Sequence, residues 1–210
     1  MTRTLFCPDL RASIAAHAGA FERRPSETPG LLRAAVAAVI VPDERDAACF
    51  VLTRRASRPG RHSGQWALPG GRMEEGETPA RAALRELSEE VGVVAEESAV
   101  LGLLDDYETR SGFSITPVVI WVDFRSEFRI EEREVAAAYR VPLGHLEAPE
   151  VPQLWRIPES PRELIGVPLP ELDTVIHAPT AAILYQLREV ALFGRPTRVA
   201  EYEQPVFAWQ

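Results

Sequence analysis

Lysine is absent from this chain of 210 residues, and all 23 of its basic residues are arginines. The absence excludes active sites that form a Schiff base on lysine and sites that hold phosphates with a P-loop lysine. Only two cysteines occur, which excludes a disulfide framework, and no cluster of cysteine and histidine has the spacing of a zinc site. With no lysine available, arginine must supply any positive charge that clamps a phosphate.

Long apolar runs are also missing from the sequence. No stretch reaches the roughly 18–20 apolar residues that a membrane span needs, and the N-terminus lacks the charged start and apolar core of a secretory signal. The formal net charge is −8 at pH 7, whereas nucleic-acid-binding proteins usually present a basic face. We therefore expect a soluble, acidic, cytoplasmic protein with neither a membrane nor a nucleic acid as its partner.

The composition predicts one folded domain with an extension. Hydrophobic residues make up 46% of the chain and charged residues 26%, both close to the average for soluble globular proteins. Leu10, Ile14 and Ala18 recur at helical spacing, and the segment 25–30 then breaks the pattern with proline and glycine. We expect a helical extension over residues 1–30 and a single catalytic domain over residues 31–210.

Strand-like segments dominate the domain and are interrupted by two helices, which predicts an α/β sandwich with a mixed sheet. Thr78 is suited to cap the first of these helices, with Pro79 at its first position and Gly92 at its end. The predicted strands cover 34–41, 48–53, 100–107, 113–124 and 135–141; two short apolar pieces cover 153–157 and 164–167; a final amphipathic helix covers 180–193.

Three carboxylates share one face of the first domain helix. Glu86, Glu89 and Glu90 are spaced i, i+3 and i+4, while the apolar face at Leu84, Leu87 and Val91 anchors the helix to the core. Neighbouring like charges cost roughly 0.2–0.5 kcal/mol per pair, and a divalent cation reverses that sign. Mg²⁺ takes oxygen ligands and joins carboxylates to substrate phosphates. The alternative for a glutamate-rich helix is a face that is only solvated.

Residues around the acidic helix have complementary chemistry. Arg85 precedes Glu89 by one turn and can orient its carboxylate by a charged hydrogen bond. Gly70 and Gly71 allow the backbone to approach closely and expose a carbonyl group toward a metal. Glu77 precedes the helix, at the end where the helix dipole favours a negative charge.

The segment from Gly71 to Val93 resembles, without a gap, the signature of the Nudix hydrolases: GRMEEGE, seven residues, then RELSEEVGV. The resemblance implies an α/β/α sandwich and the Mg²⁺- or Mn²⁺-dependent attack of water on the pyrophosphate of a nucleoside diphosphate linked to another group. By the family pattern Glu86, Glu89 and Glu90 hold the metal, the Gly70 carbonyl adds to them, and Arg85 and Glu77 orient the carboxylates.

Which carboxylate takes the proton from water varies among such enzymes. Glu89 is the first candidate in this chain. The acidic group Glu131, Glu132 and Glu134 is the second candidate, and its alternative interpretation is a solvated turn.

Substrate contacts are expected from the loop that precedes the signature. Of its arginines, Arg55 and Arg61 are the candidates for binding phosphate, with pairing to surface carboxylates as the alternative. His62 either contacts phosphate or caps a turn, and Gly71 lies where the backbone can approach the substrate. The other arginines of the loop are Arg54 and Arg58. Trp66 either packs in the core or stacks on a base, and three further histidines (His17, His145 and His177) are expected to be structural or exposed.

Three further stretches look like motifs of the coenzyme A pyrophosphatases, namely VLTRRA with RHSGQ, TRSGFSITPVV, and residues 134–143. The resemblance implies cleavage of coenzyme A or its thioesters to 3′,5′-ADP and (acyl-)4′-phosphopantetheine. Gly60 stands where that subfamily has arginine, and Leu68 stands where it has an aromatic residue. ADP-ribose, a dinucleotide or a nucleoside triphosphate is therefore the alternative substrate, and a non-catalytic nucleotide sensor is the alternative function. The proline-rich C-terminal third could pack on a second copy, which makes a homodimer one option.

Overall fold

The long apolar run after residue 31 forms the central strand of the domain. The structure is a computed structural model that describes residues 4–56 and 64–206. Its strands are β1 (Leu32–Pro42), β2 (Ala48–Arg55), β3 (Trp66–Ala67), β4 (Gly70–Arg72), β5 (Val100–Leu103), β6 (Tyr107–Glu108), β7 (Phe113–Trp121), β8 (Val135–Pro142), β9 (Gln153–Ile157), β10 (Ser160–Leu169) and β11 (Thr174–His177). Its helices are α1 (Pro8–Ala20), α2 (Pro79–Val91) and α3 (Thr180–Gln186), and α3 continues into a π-helix over Leu187–Leu192.

Strand β1 organises a mixed sheet that has eight strands within the described residues. It runs parallel to β7 and antiparallel to β2 and β4. Strand β2 also pairs with β3 and β8, while β5 and β6 pair with β7. A second sheet of β9, β10 and β11 lies beyond this one in sequence.

The two faces of the large sheet are covered by different helices. Alternate residues of β1, such as Ala37 and Val39, pack with Leu87 of α2, whereas Ala38 and Ile40 pack with residues of α1, α3 and the π-helix. This alternation is the period of a strand buried on both faces. The predicted α/β sandwich with a mixed sheet, an N-terminal helix and a C-terminal helix is therefore confirmed.

Helix α2 has the ends that its sequence predicts. The Thr78 hydroxyl accepts a hydrogen bond from the Arg81 amide at 3.3 Å, and Gly92 ends the helix in the left-handed conformation with φ 73°. Helix α1 places Ile14 and Ala18 in the core, so the helix predicted before residue 30 is present. The division into an extension and a domain stays a prediction.

Several predicted element boundaries differ from the structure. The strand expected over 100–107 is two short strands, because Asp105 and Asp106 between them are buried and hold hydrogen bonds. The strand expected over 113–124 ends at Trp121. The helix expected over 180–193 is α-helical only to Gln186. The two short apolar pieces belong to paired strands, β9 and β10. No helix of the described ranges is long and apolar enough to cross a membrane.

The carboxylate of Asp106 ties the N-terminal segment to the sheet. It accepts hydrogen bonds from Arg23 at 2.5 Å, the Thr116 hydroxyl at 2.6 Å and the Ser26 amide at 2.9 Å, and Arg33 lies at 3.3 Å. Burial alone would raise the pKa of Asp106, but the bonds from Thr116, Arg23 and Ser26 outweigh it, so the pKa lies below its ordinary value. A buried anion is thus fully partnered at this junction.

Replacing this anion should destabilise the fold. Asp106→Asn leaves two arginines facing a neutral amide, and breaking a buried ion pair costs about 3–5 kcal/mol, measurable by urea unfolding at pH 7. Because the pKa of Asp106 is lowered in the folded state, the ionised side chain adds to the free energy of unfolding above pH 3.8, its ordinary pKa. This contribution is lost as the pH falls further, so the difference in free energy of unfolding between wild type and Asp106→Asn should shrink at low pH. Glu108→Gln, which alters an exposed partner of Ser26, is the matched control with a small expected effect. Equal losses in the two variants would contradict the assignment.

Candidate active site

The three carboxylates of α2 have very different environments. Glu90 is 4% exposed, and the side chain of Glu86 is 12% exposed, whereas that of Glu89 is 62% exposed. Glu86 and Glu90 line a cavity of about 750 Å³, and Glu89 does not. The structure therefore brings together two members of the predicted set on the cavity side and places the third toward solvent.

The glycine pair before α2 is required by close packing. The Gly70 amide donates a hydrogen bond to Oε2 of Glu90 at 3.1 Å. A Cβ atom on Gly71 would lie 2.3 Å from Oε1 of Glu86, and one on Gly70 would lie 2.4 Å from the carbonyl oxygen of Ala35. No residue with a side chain fits at either position without displacing its neighbour. The Gly70 carbonyl as a metal ligand stays a prediction.

Burial and mutual repulsion make the cavity side of α2 a poor place for negative charge. Burial raises the pKa of Glu90 to about 7; the Gly70 amide and the charge of Arg55 oppose the shift, and the charges of Glu86 and Glu134 add to it. Burial likewise raises the pKa of Glu86, against a hydrogen bond from Arg85. Three carboxylates therefore share one field with too little positive charge to balance it.

This donor set fits a hard divalent cation. Carboxylate oxygens are the ligands that Mg²⁺ and Mn²⁺ take, and a cation would offset both the burial that chiefly raises the two pKa values and the repulsion that adds to it. In the ranges 4–56 and 64–206, no three Asp, Glu, His or Cys side chains stand close enough to enclose an ion by themselves. The arrangement therefore suits a cation that completes its shell with water and substrate oxygens, which is usual for Mg²⁺.

Arg85 binds three carboxylates and a carbonyl group. Its Nε and one terminal nitrogen donate to the two oxygens of Glu77 at 3.0 and 3.1 Å, while the other terminal nitrogen donates to Glu86 at 2.8 Å and to Glu89 at 3.0 Å. It also donates to the Arg72 carbonyl at 3.2 Å. The hydrogen bond from Arg85 lowers the pKa of Glu77. The contacts with Glu86 and Arg72 did not follow from the sequence, and the orienting roles of Arg85 and Glu77 stay predictions.

The second acidic group contributes one residue to the cavity. Glu134, although exposed, lies on its lining, whereas Glu131 and Glu132 do not. The backbone places Glu134 next to the acidic helix, because the Glu131 amide donates to the Glu90 carbonyl at 3.1 Å and the Glu134 amide donates to the Glu131 carbonyl at 2.8 Å. The sequence pointed to this group without distinguishing its members.

Of the predicted substrate contacts, Arg55 and Gly71 line the cavity. Arg54 instead lies over the ring of Trp66 at 5.9 Å. Trp66 lines the cavity and contacts the core. The remaining candidates in this loop, Arg58, Arg61 and His62, lie outside the described residues.

Much of the cavity comes from residues that the sequence did not single out. Strand β11 and the start of α3 form one wall, and the beginning of β1 and of β7 form another. His177, expected to be structural or exposed, lies on this lining, and burial lowers its pKa. His17 contacts the Ala191 carbonyl at 3.0 Å and His145 lies 3.4 Å from Glu171, both in keeping with structural roles. No local sequence motif identifies β11 as part of the cavity, because its place there depends only on how it packs over the large sheet.

The chain is similar to known proteins over this region. A family model described as the NUDIX domain matches residues 31–164. The curated proteins named uncharacterized Nudix hydrolase NudL from Enterobacter sp. and Cronobacter sakazakii are 36% and 37% identical over 123 residues. These matches cover 58% of this chain and 64% of each relative, so the chain spans less than two thirds of their length.

Solved structures also resemble part of the chain. An Ap4A hydrolase binary complex from C. elegans has a TM-score of 0.44 at 19% identity, covering 54% of this chain and 82% of that one. A Nudix hydrolase from M. smegmatis, RenU, has a TM-score of 0.43 at 25% identity, covering 57% and 76%.

The raised pKa of Glu90 predicts a pH-dependent stability. Because its folded-state pKa of about 7 lies above the ordinary 4.5, the folded protein binds the proton more tightly, and stability falls as the pH rises between these values. In urea unfolding with a chelator present, wild type should lose on the order of 2 kcal/mol more than Glu90→Gln between pH 5 and pH 8. Glu89→Gln, one position away and exposed, should follow wild type. A Glu90→Gln variant with the same pH dependence as wild type would refute the prediction.

The contacts of Arg85 predict a loss of metal affinity when they are removed. Residues that orient metal-binding side chains typically contribute 10–100-fold in affinity or activity, so Arg85→Ala should weaken Mn²⁺ binding, measured by electron paramagnetic resonance, by about that factor. Arg85→Lys should recover only part, since one ammonium group cannot bond both oxygens of Glu77 and reach Glu86. Arg81→Ala, on the exposed side of α2 where it pairs with Glu97, should bind as wild type. Unchanged affinity in Arg85→Ala would show that these contacts do not organise the site.

Proposed function

This chain belongs to the NUDIX domain family, and from that premise we propose that it hydrolyses a nucleoside diphosphate linked to a second group, with Mg²⁺ or Mn²⁺ as cofactor. The observation that carries the proposal is the pair Glu86 and Glu90, buried beside Gly70 and Gly71 at one end of a 750 Å³ cavity. A cavity of this size suits a nucleotide-like ligand.

Each candidate residue has a role in the proposed reaction. Glu86 and Glu90 would hold the cation from the cavity side, Glu89 would join them from the solvent side as the family pattern implies, and the Gly70 carbonyl would be a further ligand. Arg85 and Glu77 would keep the carboxylates oriented. Once bound, the cation supplies positive charge that activates water and offsets the charge on the phosphate oxygens. Arg55 and Gly71, together with Arg61 and His62 of the preceding loop, would contact the phosphates.

The carboxylate that accepts the proton from water is best sought on the cavity lining. Glu134 lies there, in the field of Glu86 and Glu90. Glu89, the first candidate from the sequence, is not on this lining and is bonded to Arg85. Glu134 is exposed as well but lies on the lining, so we propose it as the proton acceptor.

Coenzyme A or an acyl-coenzyme A is the substrate that the sequence motifs support. The alternative, ADP-ribose or another nucleotide, is favoured by Leu68, which stands where the coenzyme A motif has an aromatic residue and is 3% exposed in the core. A cytoplasmic location is supported by the two free cysteines, Cys7 and Cys49. Homodimer formation stays an option that the C-terminal third suggests.

The substrate is tested by product analysis. Purified protein with Mg²⁺ or Mn²⁺ is given coenzyme A, acetyl-coenzyme A, ADP-ribose and NADH separately, and the products are resolved by mass. We expect 3′,5′-ADP together with 4′-phosphopantetheine or its acyl form. AMP and ribose 5-phosphate, formed only from ADP-ribose, would establish the alternative substrate. Cleavage of none of the four would refute these substrate assignments and favour a nucleotide sensor.

The proton acceptor is tested by paired substitutions. Glu134→Gln should lower kcat by about 10²–10⁴, as expected for a lost general base, and should remove the acidic limb of the pH–rate profile. Glu127→Gln, an exposed residue away from the cavity, should leave kcat unchanged. If Glu89→Gln removes the acidic limb and Glu134→Gln does not, the role belongs to Glu89.

A further inference from the structure

The segment 202–204 contacts both sheets of the structure. The Glu203 amide donates to the carbonyl of Glu163, in β10 of the small sheet, at 2.8 Å. The hydroxyl of Tyr107, in β6 of the large sheet, donates to the Tyr202 carbonyl at 2.9 Å. The two sheets are thus joined by a segment that lies outside the named strands of either. We call residues 202–204 the clasp.

The Glu203 carboxylate is the most heavily bonded group of the clasp. Its side chain is 3% exposed, and it accepts hydrogen bonds from the Arg110 guanidinium at 2.5 and 3.3 Å. The Ser160 hydroxyl donates to it at 3.0 Å, and the Gln204 amide donates to it at 2.9 Å. Burial alone would raise the pKa of Glu203, but these hydrogen bonds outweigh it, so the pKa lies below its ordinary value. The carboxylate is therefore ionised at neutral pH.

Arg110 connects the clasp to the turn between β6 and β7. Its amide donates to the side-chain oxygen of Gln204 at 2.6 Å, while its guanidinium binds Glu203. The turn itself is compact, since the hydroxyl groups of Thr109 and Ser111, on either side of Arg110, lie 3.1 Å apart. Both the backbone and the side chain at the middle of the turn are therefore held by the clasp.

The turn and the clasp both contribute to the cavity wall. Thr109 and Ser111 of the turn lie on the lining, and so does Gln204 of the clasp. Arg110 and Glu203 do not lie on it. The ion pair is therefore placed behind the wall, where it acts on a ligand only through the residues that it holds in position.

This part of the wall is distant from the acidic helix. The Leu32 amide donates to the Gly112 carbonyl at 2.9 Å, which places the turn beside the beginning of β1. Gly70, which donates to Glu90, pairs instead with Val36 of that strand. Val36 follows Leu32 by four residues, a distance of roughly 13 Å at about 3.3 Å per residue. A change in the clasp is therefore expected to alter how a ligand is held rather than the chemistry at the carboxylates.

We propose that Glu203 is a positioning residue of the site: by holding Arg110 and Gln204 it closes one end of the cavity and so sets how tightly the substrate is bound. This inference rests on the proposed function and adds to it a segment beyond the matched family region, which ends at residue 164. The clasp brings no group to the reacting phosphorus. It acts on the bound substrate through the wall formed by Gln204 and the turn.

The clasp is tested by steady-state kinetics of Glu203→Gln with Mg²⁺ and coenzyme A, or with ADP-ribose if that is the compound cleaved. The variant should fold, because the side chain of Arg110 is 48% exposed and water can solvate its unpaired charge. We expect KM to rise about three- to tenfold, equivalent to the loss of one hydrogen bond, while kcat stays within a factor of about two. A merely structural loss would lower the folded fraction, and with it kcat, at unchanged KM.

Gln204→Ala is the second variant, because it removes the clasp residue on the cavity lining and leaves Glu203 in place; KM should again rise at unchanged kcat. Arg156→Ala is the matched control. It removes another arginine–glutamate pair of the small sheet, that of Arg156 with Glu163, and Arg156 is not on the cavity lining, so KM should equal that of wild type.

Hydrogen exchange measured by mass spectrometry tests the clasp without a substrate. The backbone amides of residues 109–113 should exchange about tenfold faster in Glu203→Gln than in wild type, since the turn loses contacts that resist local opening. Unchanged exchange, or an unchanged KM in both Glu203→Gln and Gln204→Ala, would overturn the proposal, as would a fall in kcat alone. Faster exchange in a protein that cleaves no diphosphate would refute the proposed hydrolysis and support the clasp as the closure of the cavity.

Discussion

The contact between α2 and β4 is the constraint on which the site depends. A Cβ atom on Gly71 would collide with the Glu86 carboxylate, and one on Gly70 would collide with Ala35 and Val36 of β1, so β4 is held closely between α2 and β1. The approach removes water from the Glu86 and Glu90 carboxylates, and the field of Glu134 adds to the energetic cost. The apolar side of α2 holds it in place against β1 and thereby offsets that cost. Unfavourable electrostatics at the cavity are thus maintained by hydrophobic packing behind it.

The arginines around α2 leave the electrostatic cost of the buried carboxylates concentrated on the cavity side. Arg85 uses its donors on Glu77, Glu86, Glu89 and a carbonyl, which connects the loop before α2 to the helix. On the cavity side, Arg55 only partly offsets the pKa shift of Glu90. Arg85 therefore holds the side of the site away from the cavity by hydrogen bonds, whereas the negative charge on the cavity side is only partly balanced.

Local sequence signals predicted the parts of the fold that depend on neighbouring residues. The ends of α2 at Thr78 and Gly92 are examples, because capping involves only one turn of backbone. Spacing could not separate the environments of Glu89 and Glu90, which lie about 100° apart around the helix, since their burial depends on β4. The π-helix after Gln186 was not predicted either. It buries Arg188, whose guanidinium donates to backbone carbonyls of the segment 146–151, and local sequence gives no signal for a partner about forty residues away.

The hydrogen bond from Thr180 to Trp66 joins positions 114 apart in sequence. Trp66 lies inside the matched family region, which ends at residue 164, whereas Thr180 and all of β11 lie beyond it. The groups proposed for hydrolysis and one wall of the ligand cavity therefore come from separately encoded stretches of the chain. Substitutions in the stretch that contains β11 and Thr180 can change the wall of the cavity without changing α2 and β4. Related proteins can therefore share a reaction and differ in substrate.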